Sequence, residues 1–104
     1  MNLATLRTLL GHIHSHESCS KILAETATLF REQGANRWYF FLLNRVVGDL
    51  IDDPEIFPPN MNSPVLAEIS QYAISGLDAI DRQDSEAVVA CANHVVEGFL
   101  SAFQ

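Results

Sequence analysis

An all-α domain is what this sequence predicts, on three observations. Apolar side chains recur at spacings of three and four along nearly the whole chain, the signature of amphipathic helices. No segment sustains the apolar–polar alternation of a half-buried strand. No Asn-Gly, Asp-Gly or Gly-Gly pair joins two apolar runs, so the short hairpin signal is missing. A chain of 104 residues suits one compact domain with a radius of gyration of roughly 13 Å. About five helices fit it, as an antiparallel bundle or a helical array.

The first helix is expected near 3–14, where Leu3, Leu6, Leu10 and Ile13 repeat on one face and Asn2 offers an N-cap. The second, near 17–33, is lined by Cys19, Ile22, Leu23, Ala27 and Phe30, with Gly34 as a left-handed stop. Leu6, Leu9, Ile13, His16, Ser20, Leu23, Ala27 and Phe30 also share one heptad phase, so a single long bent helix is the alternative.

Asn36 offers the cap of a third helix, near 37–52. Trp38, Tyr39, Phe40, Leu42, Leu43, Val46, Val47, Leu50 and Ile51 spread over about 220° of its circumference, wider than a surface helix needs. This helix should therefore sit centrally, against two or three neighbours. Phe41 falls instead among Arg37, Asn44, Arg45, Gly48 and Asp52. It either packs on the proline-rich loop 53–63 or belongs to an exposed binding patch, and the loop is the favoured contact.

That loop holds three prolines and interrupts regular structure. Ser63 and Pro64 restart a fourth helix, near 64–81, lined by Val65, Leu66, Ile69, Ala73, Leu77 and Ile80. Asp84 caps the fifth, near 85–103, with Val88, Cys91, Ala92, Val95, Phe99 and Phe103 facing inward.

The formal charge of −7 opposes unaided binding to nucleic acid or to an anionic membrane. It is also segregated: residues 1–48 carry five basic and three acidic groups, residues 49–104 one basic and ten acidic. Two cysteines are too few for a disulfide scaffold. The start "MNLATLRTLLG" lacks the pattern of a signal peptide, and no apolar run approaches the ~20 residues that span a bilayer. A cytoplasmic protein is expected.

The stretch "GHIHSHESCS" raises the question of metal. His16 and Cys19 are three apart, as are Cys91 and His94, and together they make a Cys2His2 set that tetrahedral zinc accepts. Both cysteines also fall on apolar stripes, where a free thiol behaves as a small buried hydrophobe. The histidines share their segment with Ser15, Ser18 and Ser20, as at a helix junction. No metal and no cofactor is therefore expected. Asp78, Asp81 and Asp84 stand at triplet spacing, unlike the alternate ligands of an EF-hand. With no phosphate-binding loop, nucleophile elbow or H-E-x-x-H present, the expectation is a non-enzymatic protein.

Acidic helix ends are the strongest functional signal. Asp49, Asp52, Asp53 and Glu55 gather where the third helix ends, Asp78 and Asp81 where the fourth ends. Each exposed carboxylate at a helix C-terminus is disfavoured by about 0.3–1 kcal/mol. One reading is a solvated acidic face that serves solubility. The other is a surface for a basic protein partner, with Phe57, Phe41 and Tyr72 as candidate anchors. In an up-and-down bundle the two clusters would lie at opposite poles.

In size and charge the chain resembles bacterial immunity proteins and antitoxins that neutralise basic nuclease toxins. The resemblance implies an inhibitor whose carboxylates stand where a nuclease would hold phosphates. A self-associating helical adaptor or regulatory protein is the second expectation, in which a homodimer buries Phe41. A metal-dependent helical enzyme or sensor is the third.

Overall fold

Pro64 opens a helix and Asp84 caps the next, as their local chemistry requires, in a computed structural model of the chain. The structure describes residues 3–13, 16–32, 34–52 and 64–102. Among these described residues five helices run in order: α1 (Ala4–Leu10), α2 (His16–Arg31), α3 (Arg37–Ile51), α4 (Pro64–Asp81) and α5 (Ser85–Ser101). The described residues contain no strand. The fold is all-α, with a radius of gyration of 12.6 Å.

α2 and α3 form one antiparallel hairpin. Leu23 lies against Gly48, and Phe30 against Phe41. Between them Asn44 donates its amide to the Leu23 carbonyl and to Thr26 Oγ1, both at 2.9 Å. Thr26 is fully buried, and its hydroxyl donates in turn to the Ile22 carbonyl at 2.8 Å. That chain of bonds satisfies the one buried polar side chain among the described residues.

α4 and α5 form the second antiparallel hairpin, with Ile69 against Gly98 and the Tyr72 ring stacked on His94 at 4.3 Å. α3 joins the two hairpins, as its wide apolar arc requires. Tyr39, Phe40, Leu43, Val46, Val47 and Leu50 are all buried, and the helix packs on α2 and α5. Its first turn also reaches α4, where the Tyr39 hydroxyl donates to the Ala73 carbonyl at 2.8 Å. Burial and the neighbouring Cys91 both push the Tyr39 phenol up, so it stays a donor.

α1 is shorter than the sequence predicts. It ends at Leu10, where Gly11 and His12 close i→i+3 bonds to Thr8 and Leu9. Residues 11–13 are not helical, so the single bent helix is set aside. Ile13 is buried and returns the chain to the core. Ser70 on α4 donates to the Leu10 carbonyl, and Arg7 bonds Asp78 near the far end of α4, so α1 runs antiparallel to α4.

Three boundary expectations need correction. Asn36 precedes α3 but makes no side-chain cap; backbone bonds Arg37 N–H to Gly34 O and Tyr39 N–H to Asn36 O turn the chain instead. Gly34 is not left-handed, since no described glycine has positive φ. Leu3, without a side-chain cap, occupies the position before α1, while Asn2, Ser63 and Phe103 lie outside the described residues.

The left-handed residue is Gln83, at φ 58°. Asp84 N–H bonds the Ala79 carbonyl and Gln83 N–H the Ile80 carbonyl, both at 3.0 Å, which is the Schellman closure of α4. Asp84 then accepts from Ala87 N–H at 3.2 Å as the N-cap of α5. A glutamine in that conformation carries a Cβ penalty that glycine avoids. Gln83→Gly should therefore stabilise the protein by about 0.5–1 kcal/mol, read as a rise in urea midpoint at unchanged slope.

The core also fixes an alkaline limit. Cys19 is fully buried, and burial pushes its thiol from 9.0 up to about 11, partly offset by a Ser18 hydrogen bond. The raised value means its contribution is complete below pH 9 and is lost as pH rises toward 11. Roughly 2–3 kcal/mol is at stake in that window. The melting temperature should fall between pH 9 and 11, and Cys19→Ala should flatten part of that fall.

Candidate docking face

At 100° per residue, Arg37, Phe41, Gly48, Asp52, Arg45, Trp38 and Asp49 share about 120° of α3, on the side turned away from α5. Phe41 is 58% exposed and Trp38 40%. Neither is a stray apolar residue. The Phe41 ring leans on Phe30 of α2 at 5.7 Å, and the Arg37 guanidinium lies over the Phe30 ring, 4.3 Å from its centroid. Trp38 stands edge-on to buried Tyr39 at 5.8 Å. The aromatic group is thus held rigid from beneath while its outer surface meets solvent.

Carboxylates continue the same face. Asp49, one turn beyond Arg45, accepts from its Nε at 3.1 Å. Asp52 follows at the helix end, exposed and without a cation among the described residues. Asp53, Glu55 and Phe57 lie outside the described residues, as does any contact of Phe41 with the loop 53–63.

The second acidic group lies elsewhere. A shallow cleft of about 300 Å³ is bordered by Ala35 and Asn36 on one side and Gln83 and Asp84 on the other. The α2–α3 turn and the α4–α5 turn therefore share one pole, and Asp81 belongs to it. Asp52 ends α3 at the opposite pole, about 24 Å away along the helix. Asp78 is held by Arg7. Asp49 thus pairs with Arg45 within its helix, and Asp78 with an arginine remote in sequence. Each has an arginine, although exposed pairs of this kind contribute little to stability. Tyr72 belongs to α4, half-buried and stacked on His94.

The four candidate zinc ligands are not brought together. Cys19 lies in the first turn of α2, towards the pole where Leu23 meets Gly48, whereas Cys91 lies beside Tyr39 at the other end of α3. His94 stacks on Tyr72 with Nδ1 3.6 Å from Glu97, and His16 lies with Cys19 on α2. Among the described residues no group of three or more His, Cys, Asp or Glu is placed to hold a metal. Nor is any described helix long and apolar enough to cross a membrane.

Trp38 and Phe30 are the members of the face that sequence reasoning missed. Both fall on apolar stripes, and periodicity does not say how much of a stripe a neighbour covers. The signal in the sequence was Phe41 itself: a large aromatic in a polar arc, with Arg37 and Trp38 beside it. A second exposed apolar strip runs along α5 through Val89 (50%), half-buried Val96 and Leu100 (55%). Exposed Asn93 interrupts it, and Glu86 and Glu97 flank it. Its flanking charges have one sign, whereas the α3 face carries both. Comparison with protein-family models, curated proteins and solved structures finds no match.

Proposed function

We propose that this protein is a non-catalytic binding module that docks a basic protein on the outer face of α3, in the manner of an immunity protein or antitoxin. One observation carries the reading: Trp38 and Phe41 stay exposed over the Tyr39 and Phe30 rings, on a helical face that also carries Arg37, Arg45, Asp49 and Asp52. Binding energy concentrates in a few aromatic or arginine anchors, and charge around them governs association rate and partner choice. The overall charge of −7 supplies long-range attraction for a cationic surface. Such a protein works where its partner must be restrained, which fits a cytoplasmic inhibitor.

The test is binding to any basic protein encoded beside this chain, measured at 50 and 200 mM salt. Affinity should fall at least tenfold across that range. Phe41→Ala should weaken binding tenfold or more at either salt, and Asp52→Asn should reduce the salt slope. An affinity indifferent to salt and to both substitutions would refute the reading, as would a neighbouring basic protein that does not bind.

A further inference from the structure

We infer that the outer face of α3 also pairs with the same face of a second copy, forming an antiparallel two-fold dimer that covers the docking site until a partner displaces it. The inference rests on the reading of this surface as a docking face, and adds what occupies it when no partner is present.

Charge and size follow an order along the helix that suits such pairing. Arg37 stands at its start, Phe41 one turn on, Gly48 near its end and Asp52 just beyond. An antiparallel copy whose axis passes between Asn44 and Arg45 sets Arg37 opposite Asp52 of the second copy, and Phe41 opposite its Gly48. Each match occurs twice, as a two-fold interface requires. Gly48 is half-buried and presents no side chain: a Cβ there would stand in ordinary contact with Leu23 Cδ2, at 3.7 Å. The protruding Phe41 ring, 58% exposed, would therefore meet bare backbone across the interface.

Charge agrees with shape. Arg37 and Arg45 balance Asp49 and Asp52, so this face is locally neutral although the chain carries −7. Arg45 meets its own copy near the axis but is already neutralised by Asp49. The surplus negative groups Asp81, Glu86 and Glu97 sit on α4 and α5, and their repulsion across the dimer is screened beyond about 8 Å at physiological salt. The α5 strip offers no comparable match, because an antiparallel copy would bring only glutamates to its flanks.

Area sets the strength. A 15-residue helix is about 22 Å long and a two-helix layer about 20 Å wide, which gives roughly 900 Å² buried over both copies. That is the low end for a specific interface. It suits a reversible dimer with Kd on the order of tens of micromolar, weak enough for a tight partner to displace.

Sedimentation equilibrium of the intact protein, from 1 to 500 μM, tests this. Dimer should accumulate in the upper part of that range. Arg37→Asp and Asp52→Arg, at exposed sites, should each weaken pairing at least tenfold, because each places two like-charge pairs in the interface. Mixing those two variants should restore the dimer, since both pairs are then opposite in sign. Gly48→Ala, which the monomer accommodates, should weaken pairing several-fold by setting a methyl against the Phe41 ring of the second copy. A wild-type monomer throughout, or variants that pair as well alone as mixed, would overturn the inference. A monomer that still binds the basic protein with steep salt dependence overturns the pairing alone. A dimer with the mixing behaviour, from a protein that binds no basic partner, supports the pairing and removes only the inhibitor reading.

Discussion

Gly76→Ala should destabilise the protein by about 3–5 kcal/mol, a large share of the roughly 5–15 kcal/mol typical of such domains. A Cβ at position 76 would fall well inside contact distance of the Tyr39 hydroxyl oxygen and Cζ, and 3.0 Å from Cε2. Tyr39 has nowhere to retreat. It is fully buried, and its hydroxyl is tied to the Ala73 carbonyl at 2.8 Å. Either the phenol leaves its pocket with its hydroxyl unsatisfied, or α3 lifts from α4; overpacking and a lost buried hydrogen bond each cost about 1–3 kcal/mol. Alanine's better helix propensity returns only about 1 kcal/mol. Thermal melting should drop by roughly 15 °C or more. Tyr39→Leu in the same chain should recover part of that loss, because it removes the group the new methyl strikes. Gly98→Ala is the milder comparison. Its Cβ would lie 2.9 Å from Ile69 Cγ1, in a buried β-branched side chain that must shift, so after the gain in helix propensity it should cost about 1–2 kcal/mol, less than Gly76→Ala. Equal melting of the Gly76→Ala variant and wild type would show that α3 and α4 do not meet through Tyr39.

Leu6→Ala should cost about 3 kcal/mol and should loosen α1 before the rest of the molecule unfolds. α1 has seven residues, too few to be helical alone in water. Its place is held by Leu6 and Leu10, both fully buried, and by the Ser70 and Arg7 contacts to α4. Hydrogen exchange should show the amides near the end of α1 opening at far lower free energy than those of α3 in the variant, while in the wild type the two sets lie closer together. Release of Arg7 would also free Asp78, adding negative potential at the pole of Asp81. Uniform loss of protection across all helices would contradict a separately docked α1.

Much of the fold is legible because its signals are local. Pro64 starts a helix, Asp84 caps one, and the wide apolar arc of α3 matches a helix packed on two neighbours, α2 and α5, although its outer side stays exposed. The failures share a cause, since each depends on a contact remote in sequence. Gly76 reads as an ordinary glycine inside a helix; its reason is Tyr39, 37 positions away. Arg7 and Asp78 are 71 positions apart, so nothing near Asp78 foretells its neutralisation. α1 stops three residues before its apolar spacing does, because Ile13 is buried by a turn rather than by a further turn of helix. A glutamine takes the left-handed position at 83, where sequence rules look for glycine, and Gly34, where they place one, does not. The candidate face is half legible: Phe41, Asp49 and Asp52 stand out in the sequence, whereas periodicity assigns Trp38 and Phe30 to the core.

The chain's one tryptophan is Trp38, which makes the docking face its own reporter. The most direct measurement is its fluorescence at 1 μM protein, where little dimer is expected, with and without a saturating amount of the neighbouring basic protein lacking tryptophan. Docking on α3 should shift the emission to shorter wavelength and at least halve quenching by acrylamide. A complex that forms while emission and quenching stay as in the free protein would place the partner elsewhere and contradict the account.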